Sequence, residues 1–124
     1  MILLDTSIWI DHLRQSDAHV VALLQADLVL AHPFIIGELA CGNLKSRADI
    51  LGLLKTLPQA RVALEHEVLF FIDRHKLMGL GIGYIDAHLL AASTLTEGAK
   101  LWTRDKRLDV IAQQLGLAYK KSAH

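Results

Sequence analysis

Cysteine is almost missing. Cys41 stands alone in 124 residues, so no intrachain disulfide can form, which suits a reducing compartment. Its apolar neighbours suit a small buried hydrophobe better than a reactive thiol. An excess of either charge is missing too, since 13 Lys and Arg balance 13 Asp and Glu. A protein that coats nucleic acid by charge alone would be strongly basic. A polyphosphate substrate would therefore have to be met locally, by a few cations and by bound metal. No charge-free apolar stretch reaches the ~18 residues of a membrane span. The closest approach, Leu77 to Thr96, contains Asp86 and the glycines 79, 81 and 83. The N-terminus MILLDTSIWIDHLR has no basic leader and no small-residue cleavage site, and Asp5 interrupts its apolar run. The chain is expected to be soluble and cytoplasmic. Zinc-type patterns are lacking despite seven histidines: no H-x-x-x-H and no Cys/His cluster occurs. His12, His66, His75 and His88 read as surface or packed residues. The spaced glycines depart from G-x-G-x-x-G and follow no strand, so a turn explains them better than a phosphate loop.

What is present is apolar. A hydrophobic fraction of 52% and a mean hydropathy of +0.34 support a proper core, with apolar surface left over for a partner. The length fits a single domain over residues 1–124. Short continuous apolar runs at 2–4 and 28–31 read as buried parallel strands, 100–103 reads as a further strand, and 117–120 as an edge strand. Helices are expected from Thr6 to Arg14, from an Asp17 cap to Ala26, and from Pro33 through Cys41 to Gly42. Further helices are expected over 46–57, stopped by Pro58, and over 65–77, 84–96 and 107–115. Strands alternating with helices imply an α/β fold around a central, mainly parallel sheet covered on both faces. Trp9 and Trp102 adjoin apolar positions and are expected in the core.

Four acids interrupt this apolar pattern. Asp5 closes the first strand and is the first charge in the chain. Glu38 is the only formal charge between Asp27 and Lys45, in a helix, PFIIGELACG, that is apolar on nearly every side. Asp86 is the only formal charge between Lys76 and Glu97. Asp105 follows the strand ending in WTRD. Burying an unpaired carboxylate is costly, and the segments of Asp5, Glu38 and Asp86 offer no comparably isolated Lys or Arg to pair with each acid. A shared divalent cation removes the cost, because hard metals prefer carboxylate oxygens. In open α/β sheets such sites lie beyond the carboxyl ends of the strands, where Asp5 and Asp105 fall. Each of those two would serve equally well as a helix N-cap. Thr6 and Thr103 stand near these acids as hydroxyls that could cap, pack or hold water.

The opening LLDTSIWID, the lone Glu38, the run GLGIGYIDAHLLAAS and the final TRD together resemble the PIN domain, in its VapC-type toxin branch of bacterial toxin–antitoxin modules. The resemblance covers essentially the whole chain. It implies a three-layer α/β/α fold and a magnesium- or manganese-dependent endoribonuclease. Asp5, Glu38, Asp86 and Asp105 match the four acidic positions of the family, with Thr6 and Thr103 as supporting hydroxyls and Asp109 as an outer-shell or substrate-side acid. It also implies a homodimer, an RNA substrate and tight inhibition by a small VapB-type antitoxin. Metal chemistry of this kind needs neither a 2′-hydroxyl nor a histidine base. Arg14, Arg104, Lys106, Arg107, Lys120 and Lys121 are available for RNA phosphates.

Two other classes compete. A PIN-like nuclease acting on DNA would use the same phosphodiester chemistry, and a PIN-like fold could also bind without cutting, although the complete acid set argues against that. A receiver-like magnesium-binding signalling domain shares the length and layering. It would normally place paired acids after the first strand and a phosphorylated Asp on a middle strand. Here the first strand ends in Asp5 alone, the second in Ala31-His32, and Glu38 would have no task.

Overall fold

The computed structural model describes residues 1–121. Three strands, β1 (Ile2–Leu4), β2 (Val29–Leu30) and β3 (Lys100–Trp102), form one parallel sheet in the order β2-β1-β3. Leu3 sits between Leu30 and Leu101 in the register. All strand residues except Lys100 are buried, as expected of parallel strands covered by helices on both faces. Seven helices complete the layers among the described residues: α1 (Thr6–Arg14), α2 (Ala18–Gln25), α3 (Pro33–Ala40), α4 (Arg47–Thr56), α5 (Glu65–His75), α6 (Tyr84–Leu95) and α7 (Lys106–Gln114). None is long and apolar enough to cross a membrane.

Local chemistry sets most boundaries. The Asp17 carboxylate accepts from the amides of His19 and Val20, so α2 starts where its cap stands. Pro33 occupies the first turn of α3, where a missing N–H costs nothing. Lys76, with φ of +53°, caps α5 after His75, two residues short of the expected end at Leu77. β1 matches its expected run, whereas β2 and β3 are shorter than expected. Leu28 is solvent-exposed, and Ala31 makes only an isolated bridge to Gln59. The expected edge strand over 117–120 reduces to a single parallel bridge between Leu101 and Ala118.

The core gathers the whole β1 run with Ile8, Trp9, Ile35, Leu39, Leu89, Leu90 and Leu108. Trp9 and Trp102 are both buried, as their neighbours suggested. Cys41 is not: it follows the last turn of α3 and is exposed. α3 turns only Ile35 and Leu39 fully inward, one turn apart, which leaves Gly37, Glu38 and Cys41 on its open side. α3 packs against α1 and α4, and α6 against α5 and β3. These contacts carry Glu38 and Asp86 toward the strand ends that hold Asp5 and Thr103.

Candidate active site

Asp5 is the structural centre of the cluster. Its amide extends the sheet by donating to the Trp102 carbonyl at 2.9 Å, which sets the ends of β1 and β3 side by side. Its carboxylate then caps α1: Oδ1 accepts from the Thr6 amide at 2.8 Å. Oδ2 accepts from Ser7 Oγ at 3.1 Å and from Thr103 Oγ1 at 2.7 Å. Only 9% of Asp5 is exposed, so these donors fix it. Thr103 also accepts from the Asp105 amide at 3.0 Å, and thereby ties the last acid to the first. Asp105 caps α7, accepting from the Leu108 amide at 3.0 Å.

The helical acids approach from the other side. Glu38 Oε1 accepts from Thr6 Oγ1 at 2.8 Å, so the two hydroxyls bracket the cluster. Asp86 Oδ2 accepts from the Gly83 amide at 3.1 Å, closing the start of α6. Its carboxyl is held above the ordinary aspartate range, first by burial and then by the charges of Asp5, Asp105 and Glu38. The Gly83 hydrogen bond opposes this without overcoming it. No cation offsets the four charges, because the only ion pairs among the described residues join Arg104 to Asp11 and Asp17.

The acids are neighbours without being drawn tight. Among the described residues, no three His, Cys, Asp or Glu side chains already stand close enough to share an ion. Each carboxylate instead takes a nearby N–H or O–H. The donor set still fits a hard divalent cation: oxygen-only, net negative, unpaired and held in place by hydroxyls and amides.

A family model described as PIN domain matches residues 2–114. The chain belongs to the PIN domain family. Two relatives from Mycobacterium tuberculosis, both named Ribonuclease VapC32, come from strains CDC 1551 / Oshkosh and ATCC 25618 / H37Rv. Each is 48% identical to this PIN domain over 118 residues, covering 95% of both chains. The VapC-type resemblance drawn from LLDTSIWID, Glu38, GIGYIDAHLLA and TRD therefore holds, as does the α/β fold it implied.

Some expectations about the PIN domain's site need correction. Glu38 is exposed and Asp86 half-buried, so of the three acids expected in buried segments only Asp5 is buried; Asp105, just past β3, is exposed. The apolar make-up of α3 hides the fact that its open side carries Glu38. Asp109 is half-buried, and its carboxylate accepts from Gln113 Nε2 at 2.7 Å, one turn along its own helix. Its amide donates to the Asp105 carbonyl at 2.9 Å as part of the helix, but among the described residues its carboxylate makes no hydrogen bond to the four acids. Arg104 is engaged as well. Its Nε donates to Asp11 at 3.0 Å, Nη2 lies 3.7 Å from Asp17, and the guanidinium stands over the Trp102 ring. Lys121 covers the same ring. Arg14 ends α1, near Lys45, while Lys106 and Arg107 open α7 beside Asp105.

Two groups escaped the sequence analysis. Ser7 bridges Asp5 Oδ2 and the Arg104 amide, which it accepts at 3.0 Å. Its place two residues after a capping acid was the available signal. His32 is fully buried and caps α3, its Nδ1 accepting from the Phe34 amide at 3.0 Å. Burial, and secondarily the nearby His88, lower its pKa to about 4. His88 is itself buried and packs edge-on to Phe34 and Tyr84, which agrees with its expected packed role.

Proposed function

We propose that this chain is a single-domain, divalent-metal-dependent endoribonuclease, the toxin of a toxin–antitoxin pair. The observation that carries the chemistry is the set of four carboxylates with no ion-pair partner among the described residues, three of them linked through Thr6 and Thr103 and the fourth, Asp86, within reach of their charges. RNA as substrate is supported by the 48% identity to proteins named Ribonuclease VapC32.

Asp5, Glu38, Asp86 and Asp105 would hold magnesium or manganese. When bound, such a cation supplies a more acidic water and neutralises charge at the phosphate. Thr103 and Ser7 keep the Asp5 carboxylate oriented by donating to one oxygen, while the Thr6 amide holds the other. Thr6 steers Glu38 toward the same centre through its hydroxyl. Gly83 keeps Asp86 turned back over the start of α6. Water delivered to the phosphorus leaves products with 5′-phosphate and 3′-hydroxyl ends.

A partner is supported by exposed apolar side chains, with Val62, Leu64, Leu69 and Phe70 each at least 44% accessible. We assign the family's homodimer and a VapB-type antitoxin to the chain as expectations, together with a cytoplasmic location. A small DNA-binding protein encoded in the adjoining frame would agree with them.

The test is cleavage of total RNA, and of single-stranded DNA, by wild type and Asp5→Asn with and without chelator. Wild type should cut RNA only without chelator, leaving 5′-phosphate ends, and Asp5→Asn should not. Equal cutting by both proteins would overturn the mechanism, and preference for DNA would overturn the substrate.

A further inference from the structure

The glycine-rich loop before α6 and the first turns of α7 face each other across a groove of about 310 Å³, lined by Leu80, Lys106, Arg107, Val110 and Gln114. One wall belongs to the loop that leads into α6 and Asp86, and the other follows Asp105 directly along α7, so both walls are continuous with segments that carry two of the four acids. Arg107 is fitted to the loop. A Cβ built on Gly81 would stand 2.6 Å from Arg107 Nη1 and 2.8 Å from its Cδ. Neither Lys106 nor Arg107 makes an ion pair or side-chain hydrogen bond among the described residues, whereas Arg104 is committed to Asp11 and Asp17.

We propose that this groove takes the backbone of single-stranded RNA beside the carboxylates, with Lys106 and Arg107 on phosphates and Leu80 and Val110 under a base. The proposal rests on the ribonuclease reading and adds where the strand lies. A polyanion approaching four carboxylates needs adjacent cations to offset repulsion, and these two are adjacent and unpaired. Phosphate contacts of this kind fix the position of a strand without reading its sequence. The absent side chain at Gly81 leaves Arg107 free to lie along the loop, where its guanidinium borders the groove.

Two glycines make a matched test. Gly79 and Gly81 both have positive φ, +74° and +83°, so alanine strains the backbone at either. Only at Gly81 does the new methyl displace Arg107, since nothing lies within 4 Å of a Cβ at Gly79. Binding of a labelled single-stranded RNA by fluorescence anisotropy, across a salt series, would be measured in an Asp5→Asn background that leaves the RNA intact. Arg107→Gln and Gly81→Ala should each weaken binding roughly tenfold, as loss of a charge-assisted contact does. Each should also lower the salt slope by roughly 0.7, the share of one single-strand phosphate contact. Gly79→Ala and the remote control Lys55→Gln should keep the parent affinity and slope. Unchanged affinity and slope in Arg107→Gln and Gly81→Ala, an equal loss in Gly79→Ala, or no RNA binding at all would overturn the proposal and point to another occupant, such as a protein partner. Failure of the nuclease reading would appear separately, as undiminished cleavage by Asp5→Asn.

Discussion

At Asp86, burial and three neighbouring carboxylates push in one direction, against a single amide hydrogen bond from Gly83. A carboxyl whose pKa rises on folding favours the folded state while protonated. That contribution is lost as pH climbs from the ordinary value of 3.8 through the raised one. Near neutral pH the ionised group therefore burdens the metal-free protein. Asp86→Asn keeps an acceptor for Gly83 and removes the charge. It should raise the melting temperature of chelator-treated protein at pH 7, while cutting RNA cleavage by more than about 100-fold, the upper range for losing even an outer-shell partner of a metal. A lower melting temperature would contradict the electrostatic account. Thr103 is tested differently, because its buried hydroxyl serves both Asp5 and the Asp105 amide. Thr103→Val should cost about 1–3 kcal/mol in urea denaturation and ten- to a hundredfold in activity. Thr103→Ser should restore most of both.

Helix α3 carries the acid-sensitive element. His32 caps it as a neutral imidazole, with its folded pKa near 4 against an ordinary 6.5. The unfolded chain thus binds the proton more readily, so the stability from this group is complete above pH 6.5 and lost as pH falls toward 4. The loss is at most about 3 kcal/mol, less whatever water near the ring screens. His32→Asn keeps a capping oxygen for Phe34 and should flatten that part of the pH–stability curve, measured by urea titration at several pH values. The sequence shows elements better than it shows exposure. Continuous apolar runs located β1 and β2, and Asp17 marked the start of α2, because these signals are local. For α3, composition alone misled: PFIIGELA is apolar all round, and only its packing against α1 and α4 decides that Ile35 and Leu39 go inward. The exposure of Glu38 and Cys41 depends on those distant partners. His32 was missed because a histidine cap looks like any other histidine before a proline. Glu38 and Asp86 were legible because charge is rare in their segments, and Asp5 and Asp105 by their place after strands, but the ties of Glu38 and Asp105 to Asp5 through Thr6 and Thr103 needed the fold.

For the molecule as a whole, a formal net charge of zero coexists with a local excess of four negative charges at the strand ends. A ligand that binds only the folded state stabilises it, by about 2.7 kcal/mol at a hundred times its dissociation constant. Manganese at that concentration should therefore raise the melting temperature of wild type, with chelator reversing the gain. Sheet order places Asp5 and Thr103 on adjacent strand ends, and helix packing brings Glu38 and Asp86 to them, so the site depends on the complete fold. The most direct test of its central claim is calorimetric titration of manganese into wild type and the variants Asp5→Asn, Glu38→Gln, Asp86→Asn and Asp105→Asn. Wild type should bind, and each amide should weaken binding by at least about tenfold, no less than losing an outer-shell partner. Equal binding by all five proteins would contradict the account.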